Sequence, residues 1–253
     1  MIKNKSIYII SILTLIVVIF ISCQKEVKEE TKNTLDKAIT VTEATFSKEV
    51  KNSKDEVIAN VKITYPVLFD SDNNPNIKEL NENLKNEANR DFPDYVEEYT
   101  EIASREDSIN LPYTYERSFR VTFNKDNIIS ILTTEYSNTN GAYPNIINTG
   151  NTYDLNTGCK LELKDIFSLE EDNMYNQIEK KFIELYANID SLYYGKDSIN
   201  ENIRNIKFYL EDNNINLFFD ESVIGPHVLG APMVSLLIDG DMFNERITKA
   251  VIK

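Results

Sequence analysis

The chain has 253 residues, 42% hydrophobic and 27% charged, which is enough for one sizeable domain or two small ones with a hydrophobic core. Acidic residues outnumber basic ones by 41 to 27, and the net charge of −14 disfavours nucleic acid and anionic lipid headgroups as partners. One histidine and two cysteines are too few for the usual zinc sites, although an all-oxygen calcium site stays open. We therefore expect an acidic globular protein, and we assign it no metal site and no cofactor.

Residues 1–22 have the pattern of a secretory signal peptide. Lys3 and Lys5 precede an uncharged, largely apolar stretch from Ser6 to Ser22, which is the order of the n-region and h-region of such signals. A permanent transmembrane helix needs roughly 20 apolar residues, and this stretch is shorter. We therefore predict export and removal of residues 1–22, with an uncleaved signal anchor as the weaker interpretation.

The apolar stretch ends in Phe20-Ile21-Ser22-Cys23, which resembles a bacterial lipobox. Ser22 and Cys23 fit the motif, whereas Phe20 stands where leucine is more usual. The resemblance implies that Cys23 receives diacylglycerol and acyl chains such as palmitate, which hold the protein at a membrane by about 0.8 kcal/mol per buried methylene. The alternative is that Cys23 is incidental. The expected location is extracytoplasmic, in the cell envelope.

Residues 23–44 are predicted to be a flexible tether, because the segment that follows Cys23 is almost entirely polar and charged. The patterns in residues 45–110 then predict a small α+β companion subdomain. Its strand alternates from Val57 to Tyr65 and is expected to end at Pro66. Its helix is expected to begin after Asn74 and to kink or stop at Pro93. The buried face of that helix is predicted to consist of Ile77, Leu80, Leu84 and Ala88.

Residues 111–253 predict the larger α+β domain, which begins with an antiparallel hairpin joined by a turn at residues 125–127. Apolar residues recur at helical spacing from Met174 to Ile189, after a capping-box spacing of Ser168 and Glu171. Further strands are predicted at residues 146–154, 159–163, 206–210, 215–219 and 234–238. The whole predicts a mostly antiparallel sheet with two main helices packed on it, as one unit or as two small subdomains.

Several segments resemble the bacterial extracytoplasmic domain of unknown function found in PdaC-type peptidoglycan deacetylases and RsiV-type anti-sigma factors. The resemblance covers about residues 111–238, and residues 45–110 resemble the smaller domain that usually precedes it. The segments that carry it are Gly141-Ala142-Tyr143-Pro144-Asn145, Tyr153-Asp154-Leu155-Asn156-Thr157-Gly158, Leu161-Glu162-Leu163-Lys164-Asp165-Ile166-Phe167, the stretch FYLEDNNINLFF, and Ile224-Gly225-Pro226-His227-Val228-Leu229-Gly230.

The chain departs from that family at Tyr143, which stands where the family signature has histidine. His227 stands near a position that is more often tyrosine, so the two side chains could be a traded pair that meets in space. The deacetylase domain and the sigma-binding segment of these relatives are not evident in the sequence. The resemblance therefore implies a sensing or binding module that works alone, on cell-wall glycan or on a wall-directed protein such as a lysozyme.

The loop from Asn138 to Asn148 is the best candidate for a contact surface, because polar loops held between strands commonly carry binding residues. The predicted contact residues are Tyr136, Asn140, Tyr143, Asn145 and His227. Asp154 and Asp165 could form a carboxylate pair for glycan hydrolysis. Their positions in a DLNTG turn and just before a helix favour structural roles instead.

We therefore expect a non-catalytic binding or sensing lipoprotein that engages a wall component or a basic envelope protein. Two alternatives stay open at this point. One is a glycan-directed hydrolase that uses Asp and Glu side chains, and the other is a structural protein of envelope assembly.

Overall fold

A computed structural model of the protein describes residues 38–105, 112–186 and 194–252. The predicted signal peptide, Cys23, most of the predicted tether and Ile189 lie outside these residues. Within them, none of the helices is both long enough and apolar enough to cross a membrane.

The fold is α+β, as predicted, and its main sheet has six strands in the order β1-β2-β3-β4-β5-β6. Every neighbouring pair is antiparallel except β2 and β3, which are parallel. The strands are β1 Thr40–Lys51, β2 Val57–Phe69, β3 Tyr113–Lys125, β4 Ile128–Asn138, β5 Asn145–Asp154 and β6 Cys159–Leu161. The sheet is therefore mostly antiparallel and continues across residue 110, where the sequence suggested a division between subdomains.

The parallel pair of β2 and β3 is joined by the long helix α1, Pro75–Ser104. Asn74 caps the helix as predicted, since its side-chain oxygen accepts a hydrogen bond of 2.9 Å from the Asn76 amide. The expectation that the helix could stop at Pro93 is wrong, because the helix continues for eleven residues beyond it. Pro93 has no N–H to donate to the carbonyl of Asn89, four residues earlier. Both residues are exposed, so water can donate to that carbonyl instead. The apolar residues that hold the second half against the sheet are Phe92, Tyr95, Val96 and Tyr99.

The prediction that Pro66 ends its strand is also wrong, because β2 runs on to Phe69. Beyond Ile63, β2 no longer pairs with β3 and keeps only β1 as a neighbour. The main-chain groups of Leu68 bind the side chain of Asn81 on that unpaired side, at 2.8 Å each. Residues two apart in a strand face the same way, so Pro66 lacks an N–H where no strand needs one.

The first strand, β1, was not predicted, and it begins within the segment that was expected to be a tether. Residues 40–44, the last part of the predicted tether, lie in β1 and pair with residues 65–69 of β2. The sequence signal is weak, because only Ala44 and Phe46 alternate with polar residues, Val41 falls on the opposite face, and the segment adjoins a strongly charged one. Pairing with a partner strand decides such a marginal case.

A second sheet has three antiparallel strands in the order β7-β8-β9. These are β7 Lys207–Glu211, β8 Asn214–Phe218 and β9 Met233–Leu237, and the remaining helices are α2 Leu163–Ile166, α3 Glu171–Tyr186, α4 Lys196–Asn202 and α5 Glu245–Ile252. Helix α3 buries Met174, Ile178 and Phe182 in the core that it shares with this sheet, as predicted. Leu185 was predicted in the same stripe but is 54% exposed in the last turn of the helix.

The two sheets meet closely at Gly150 in β5. A Cβ atom placed there would lie 1.8 Å from the carbonyl oxygen of Phe208 in β7. Beside this contact, the hydroxyl of Ser130 accepts a hydrogen bond of 3.0 Å from the amide of Leu210. Lys207 of β7 donates to the carbonyl of Asn148 at 2.8 Å. Only glycine permits this approach of one backbone to another.

We expect Gly150→Ala to lower the free energy of unfolding by about 3 kcal/mol or more, since a carbonyl cannot yield to the added methyl group without moving β7. Urea unfolding of the purified protein measures the change. The matched control is Gly141→Ala, where the nearest atom lies 3.8 Å away. Equal stability of the two variants would contradict the close contact.

Candidate functional site

The predicted contact loop brings Tyr143 to the surface between β4 and β5. Tyr143 is 73% exposed, and its ring lies 5.0 Å from the ring of His227, centroid to centroid, at an interplanar angle of 48°. His227 belongs to a single helical turn, His227–Leu229, in the loop between β8 and β9. The two predicted residues therefore meet across more than 80 positions of sequence, as a traded pair requires.

The imidazole of His227 is held by a carboxylate. Its Nδ1 lies 2.7 Å from Oε2 of Glu221, and Glu221 is the more buried of the two side chains. This contact occupies one ring nitrogen and restrains the orientation of the ring. The neighbouring Val228 is 77% exposed. An aromatic ring, an imidazole and an aliphatic side chain therefore lie together at the surface with an acidic group beneath them, and we call Tyr143, His227 and Val228 the loop surface.

The other predicted contact residues lie in the strands that support this loop or at its start. Tyr136 belongs to β4, and its hydroxyl lies 3.4 Å from the side-chain nitrogen of Asn138. Asn145 is the first residue of β5 and pairs with Ser137. Asn140 has a left-handed backbone with φ of 59°, and its amide donates to the side chain of Asn138 at 2.8 Å. These contacts shape the turn that presents Tyr143.

The carboxylates Asp154 and Asp165 both have structural partners. Asp154 is 6% exposed. It accepts a hydrogen bond of 2.9 Å from the amide of Asn156, as its turn position predicted. It also binds both terminal nitrogens of Arg246 at 2.6 Å, and this bonding raises the pKa of Arg246. Asp165 closes a capping box at the start of α2, where it accepts from the amide of Glu162 at 2.8 Å.

A buried polar cluster that the sequence analysis missed lies between α1 and the sheet. Arg117 of β3 is 8% exposed and binds Asp91 at 2.9 Å and Glu135 at 3.2 Å. The hydroxyl of Tyr115 donates to Glu135 at 3.0 Å, and burial raises the pKa of Tyr115. The ring of Tyr95 stacks on that of Tyr115 with centroids 3.6 Å apart. Alternation along β3 predicts which residues face the helix, but pairing of charges across elements has no sequence signal.

A cavity of about 420 Å³ opens at one end of the main sheet. Its lining includes Asp70, Asp72 and Asp126, together with Asn74 and the exposed ring of Phe69. Each of the three aspartates has an interaction partner. Among the described residues, no group of three or more His, Cys, Asp or Glu side chains is arranged to hold a metal ion. The sequence of the segment that lines one side, DSDNNPN, is typical of a turn and does not itself indicate a cavity.

Comparison with known proteins identifies the type of domain. A family model described as deacetylase PdaC matches residues 51–146. No curated protein matches the sequence at a significant level. A crystal structure of a DUF3298 family member from Bacteroides fragilis is similar over 85% of this chain and 98% of its own, with a TM-score of 0.61 and 14% identity. A DUF3298 family protein from Pseudomonas aeruginosa is similar over 84% and 97% of the two chains, with a TM-score of 0.57 and 14% identity.

The fold is therefore that of the solved DUF3298 proteins, and a PdaC-type segment forms part of it. The predicted resemblance to the PdaC-type domain of unknown function is confirmed. The matched segment runs from the end of β1 to the start of β5. It thus covers most of the predicted companion region, and of the sequence signatures quoted above it includes only the one around Tyr143.

We expect Asp154→Asn to lower the free energy of unfolding by about 1–3 kcal/mol, because Arg246 loses a charged partner that is almost completely buried. Urea unfolding measures this loss. Asp165→Asn, which alters only a helix cap, should lose about 1 kcal/mol or less. An Asp154→Asn protein of unchanged stability that has lost turnover of purified sacculi would instead make Asp154 catalytic.

Proposed function

We propose that this protein is a non-catalytic binding or sensing module of the bacterial cell envelope, held outside the cytoplasm by a lipid on Cys23. Its partner is a basic envelope protein, for example one resembling a lysozyme, or a component of the cell wall. The observation that carries the proposal is the exposed meeting of Tyr143 and His227.

The loop surface has the composition of a contact site. Tyrosine presents a large, rigid face that excludes water and a hydroxyl that can hydrogen-bond, and such residues often dominate the binding energy of interfaces. Tyr143 and Val228 are 73% and 77% exposed, so neither side chain is part of the hydrophobic core. The loops that carry them adjoin strands that meet at Gly150, and the ring of Tyr143 lies beside that of His227.

The charge of the chain favours a basic partner over an acidic one. The net charge is −14, and removal of the signal peptide would also remove Lys3 and Lys5 and no acidic residue. A negative field attracts cationic proteins and raises their rate of association. At the loop surface itself, Glu221 lies beneath His227 and supplies a local negative charge. Polymers rich in phosphate are disfavoured by the same field.

The hydrolase alternative has less support from the described residues. The carboxylates that the sequence offered for acid and base chemistry, Asp154 and Asp165, are engaged by Arg246 and by a helix N-terminus. A general acid must donate a proton to the substrate and a general base must accept one from it, so each needs a group that can reach the substrate. A role in envelope assembly differs from sensing only in the partner that is bound, and the same capture experiment separates them.

We expect Tyr143→Ala to reduce capture of a basic partner from envelope extract at least fivefold, because it removes the largest exposed apolar face of the loop surface. Immobilised protein followed by mass spectrometry measures the captured proteins. The matched control is Tyr194→Ala, which removes another exposed tyrosine, 59% accessible, from a different loop. Retention should also fall steeply between 50 and 500 mM salt, roughly the range over which screening removes exposed charge attraction. Capture that resists salt and survives Tyr143→Ala would overturn the proposed surface.

We expect the protein to incorporate an alkyne-bearing palmitate analogue in bacterial cells, and Cys23→Ser to abolish that labelling. The chain contains one other cysteine, Cys159, and Cys159→Ser is the matched control that should leave labelling intact. Mass spectrometry of the N-terminal peptide would decide the case independently. An unlabelled chain, or one in which Cys23 is joined to Cys159 by a disulfide, would contradict lipid anchoring.

A further inference from the structure

The outer edge of β1 is an open strand edge. β1 runs from Thr40 to Lys51 at one end of the six-stranded sheet and pairs only with β2. An edge strand presents a row of main-chain N–H and C=O groups that can bind another strand, and proteins usually cover or blunt such edges. Which residues of β1 present these groups follows from the register of the sheet.

The direction of the main chain is fixed by Leu68. Both of its main-chain groups bind Asn81, on the side of β2 away from β1. Leu68 pairs with Val41, so Val41 must direct its own main-chain groups away from β2. The hydroxyl oxygens of Thr45 and Thr64 are 3.1 Å apart. Side chains approach this closely in antiparallel pairs whose main-chain groups do not bind each other, which is also the geometry of Val41 and Leu68. Because directions alternate, the outward-facing residues are Val41, Glu43, Thr45, Ser47 and Glu49.

These outward main-chain groups have no hydrogen-bond partner in the part of the chain that the structure describes. Glu43, Thr45, Ser47 and Glu49 are all exposed as residues. The edge strand of the second sheet, β9, is partly covered. The hydroxyl of Tyr186 binds the amide and the carbonyl of Met233 there, at 2.9 and 3.1 Å. One edge is thus partly closed by a side chain, while the edge of β1 is accessible along most of its length.

We propose that β1 is a second binding site, which takes up an extended peptide segment of another protein by β-strand addition. The side chains of β1 define the chemistry of that segment. Glu43 and Glu49 lie on one face of the strand with Thr45 and Ser47. On the other face, Phe46 packs half-buried against Tyr65 and Phe92.

An added strand would alternate between the same two faces. Its residues beside Glu43 and Glu49 are therefore basic, and those beside Ala44 and Phe46 are apolar. Lys48 is exposed on the apolar face and repels a basic side chain there. The segment therefore binds with its basic side chains on the face of Glu43 and Glu49. Lys62, which lies beside Ser47 on the acidic face, is already paired with Glu116 at 3.0 Å. The occupant is thus a segment of alternating basic and apolar residues.

A second copy of this chain fits the edge less well. In any antiparallel pairing of two β1 strands through their outward residues, the Glu43 and Glu49 side chains of both copies share one face. Like charges on neighbouring strands destabilise such pairs. Each copy also carries a net charge of −14. A dimer is therefore an outcome for the test and not the expected state.

The test uses the full-length protein in neutral detergent and a synthetic peptide of alternating lysine and valine, titrated by calorimetry. The same peptide with alternate amides N-methylated keeps its charge and apolarity but loses the donors that strand pairing needs. We expect the N-methylated peptide to bind at least tenfold more weakly, and a glutamate–valine peptide likewise. Equal binding of the plain and N-methylated peptides would overturn strand addition, since charge alone would then explain the affinity.

A pair of variants locates the site on β1. Thr45→Pro removes an outward N–H that no described residue uses, whereas Thr45→Val keeps that N–H and loses the same hydroxyl contact with Thr64. We expect Thr45→Pro to weaken peptide binding at least tenfold, Thr45→Val to bind like the parent protein, and both to fold as judged by circular dichroism. If Thr45→Pro does not fold, the N-methylated peptide decides the case.

The site is independent of the loop surface, so Tyr143→Ala should leave peptide affinity unchanged even if it abolishes partner capture. Equal peptide affinity of Thr45→Pro and the parent would place the peptide elsewhere and overturn the proposal. Light scattering supplies the last outcome. A parent dimer that Thr45→Pro converts to a monomer would show that a second copy occupies the edge.

Discussion

The close contact between the two sheets at Gly150 is the constraint on which the arrangement of the molecule depends. With a carbonyl oxygen of β7 where a side chain would otherwise stand, β5 and β7 lie backbone against backbone. The hydroxyl of Ser130 and the ammonium group of Lys207 then bind across the same junction. This junction fixes the three-stranded sheet on the larger one. It thereby sets the loop after β8 beside the loop before β5, which is why Tyr143 meets His227.

Charged groups serve different purposes in the interior of the protein and at its surface. Inside, Arg117 and Asp154 are matched to partners of opposite charge at short distance, and removing those partners leaves a charge in a poorly solvated place. Outside, the excess of acidic residues is largely unmatched and produces a negative field. The internal pairs hold elements distant in sequence together, whereas the external field selects the sign of what approaches.

Much of the architecture follows from local patterns. The hairpin of β3 and β4 was predicted with its turn, because Asp126 and Asn127 accept the left-handed backbone that such turns need, with φ of 47° and 60°. The buried stripe of α3 and the cap of α1 were predicted for similar reasons. The errors at Pro66 and Pro93 share one cause: a proline disrupts only a hydrogen bond that the surroundings require, and whether a neighbour requires it is decided by tertiary structure.

The candidate sites likewise differ in how far local sequence patterns indicated them. The sequence suggested that Tyr143 and His227 meet, through their exchanged positions in two signatures, but it contained no indication of Glu221 as the partner of the imidazole. The Arg117 cluster and the cavity lined by Asp70 and Asp72 went unnoticed, because each is assembled from elements whose register is set elsewhere. The open edge of β1 was missed because no strand was predicted there: residues 40–44 were assigned to the tether, and residues 45–51 were left without a predicted element.

The parallel pairing of β2 with β3 also bears on how the chain reaches its native state. β1 and β2 form a hairpin with local contacts, so they can associate as soon as residue 69 is available. The inner side of β2 must wait for residues 113–117, with a thirty-residue helix between them. Until that crossover closes, both sides of the nascent ribbon can recruit foreign strands, and aggregation at this stage competes with productive folding.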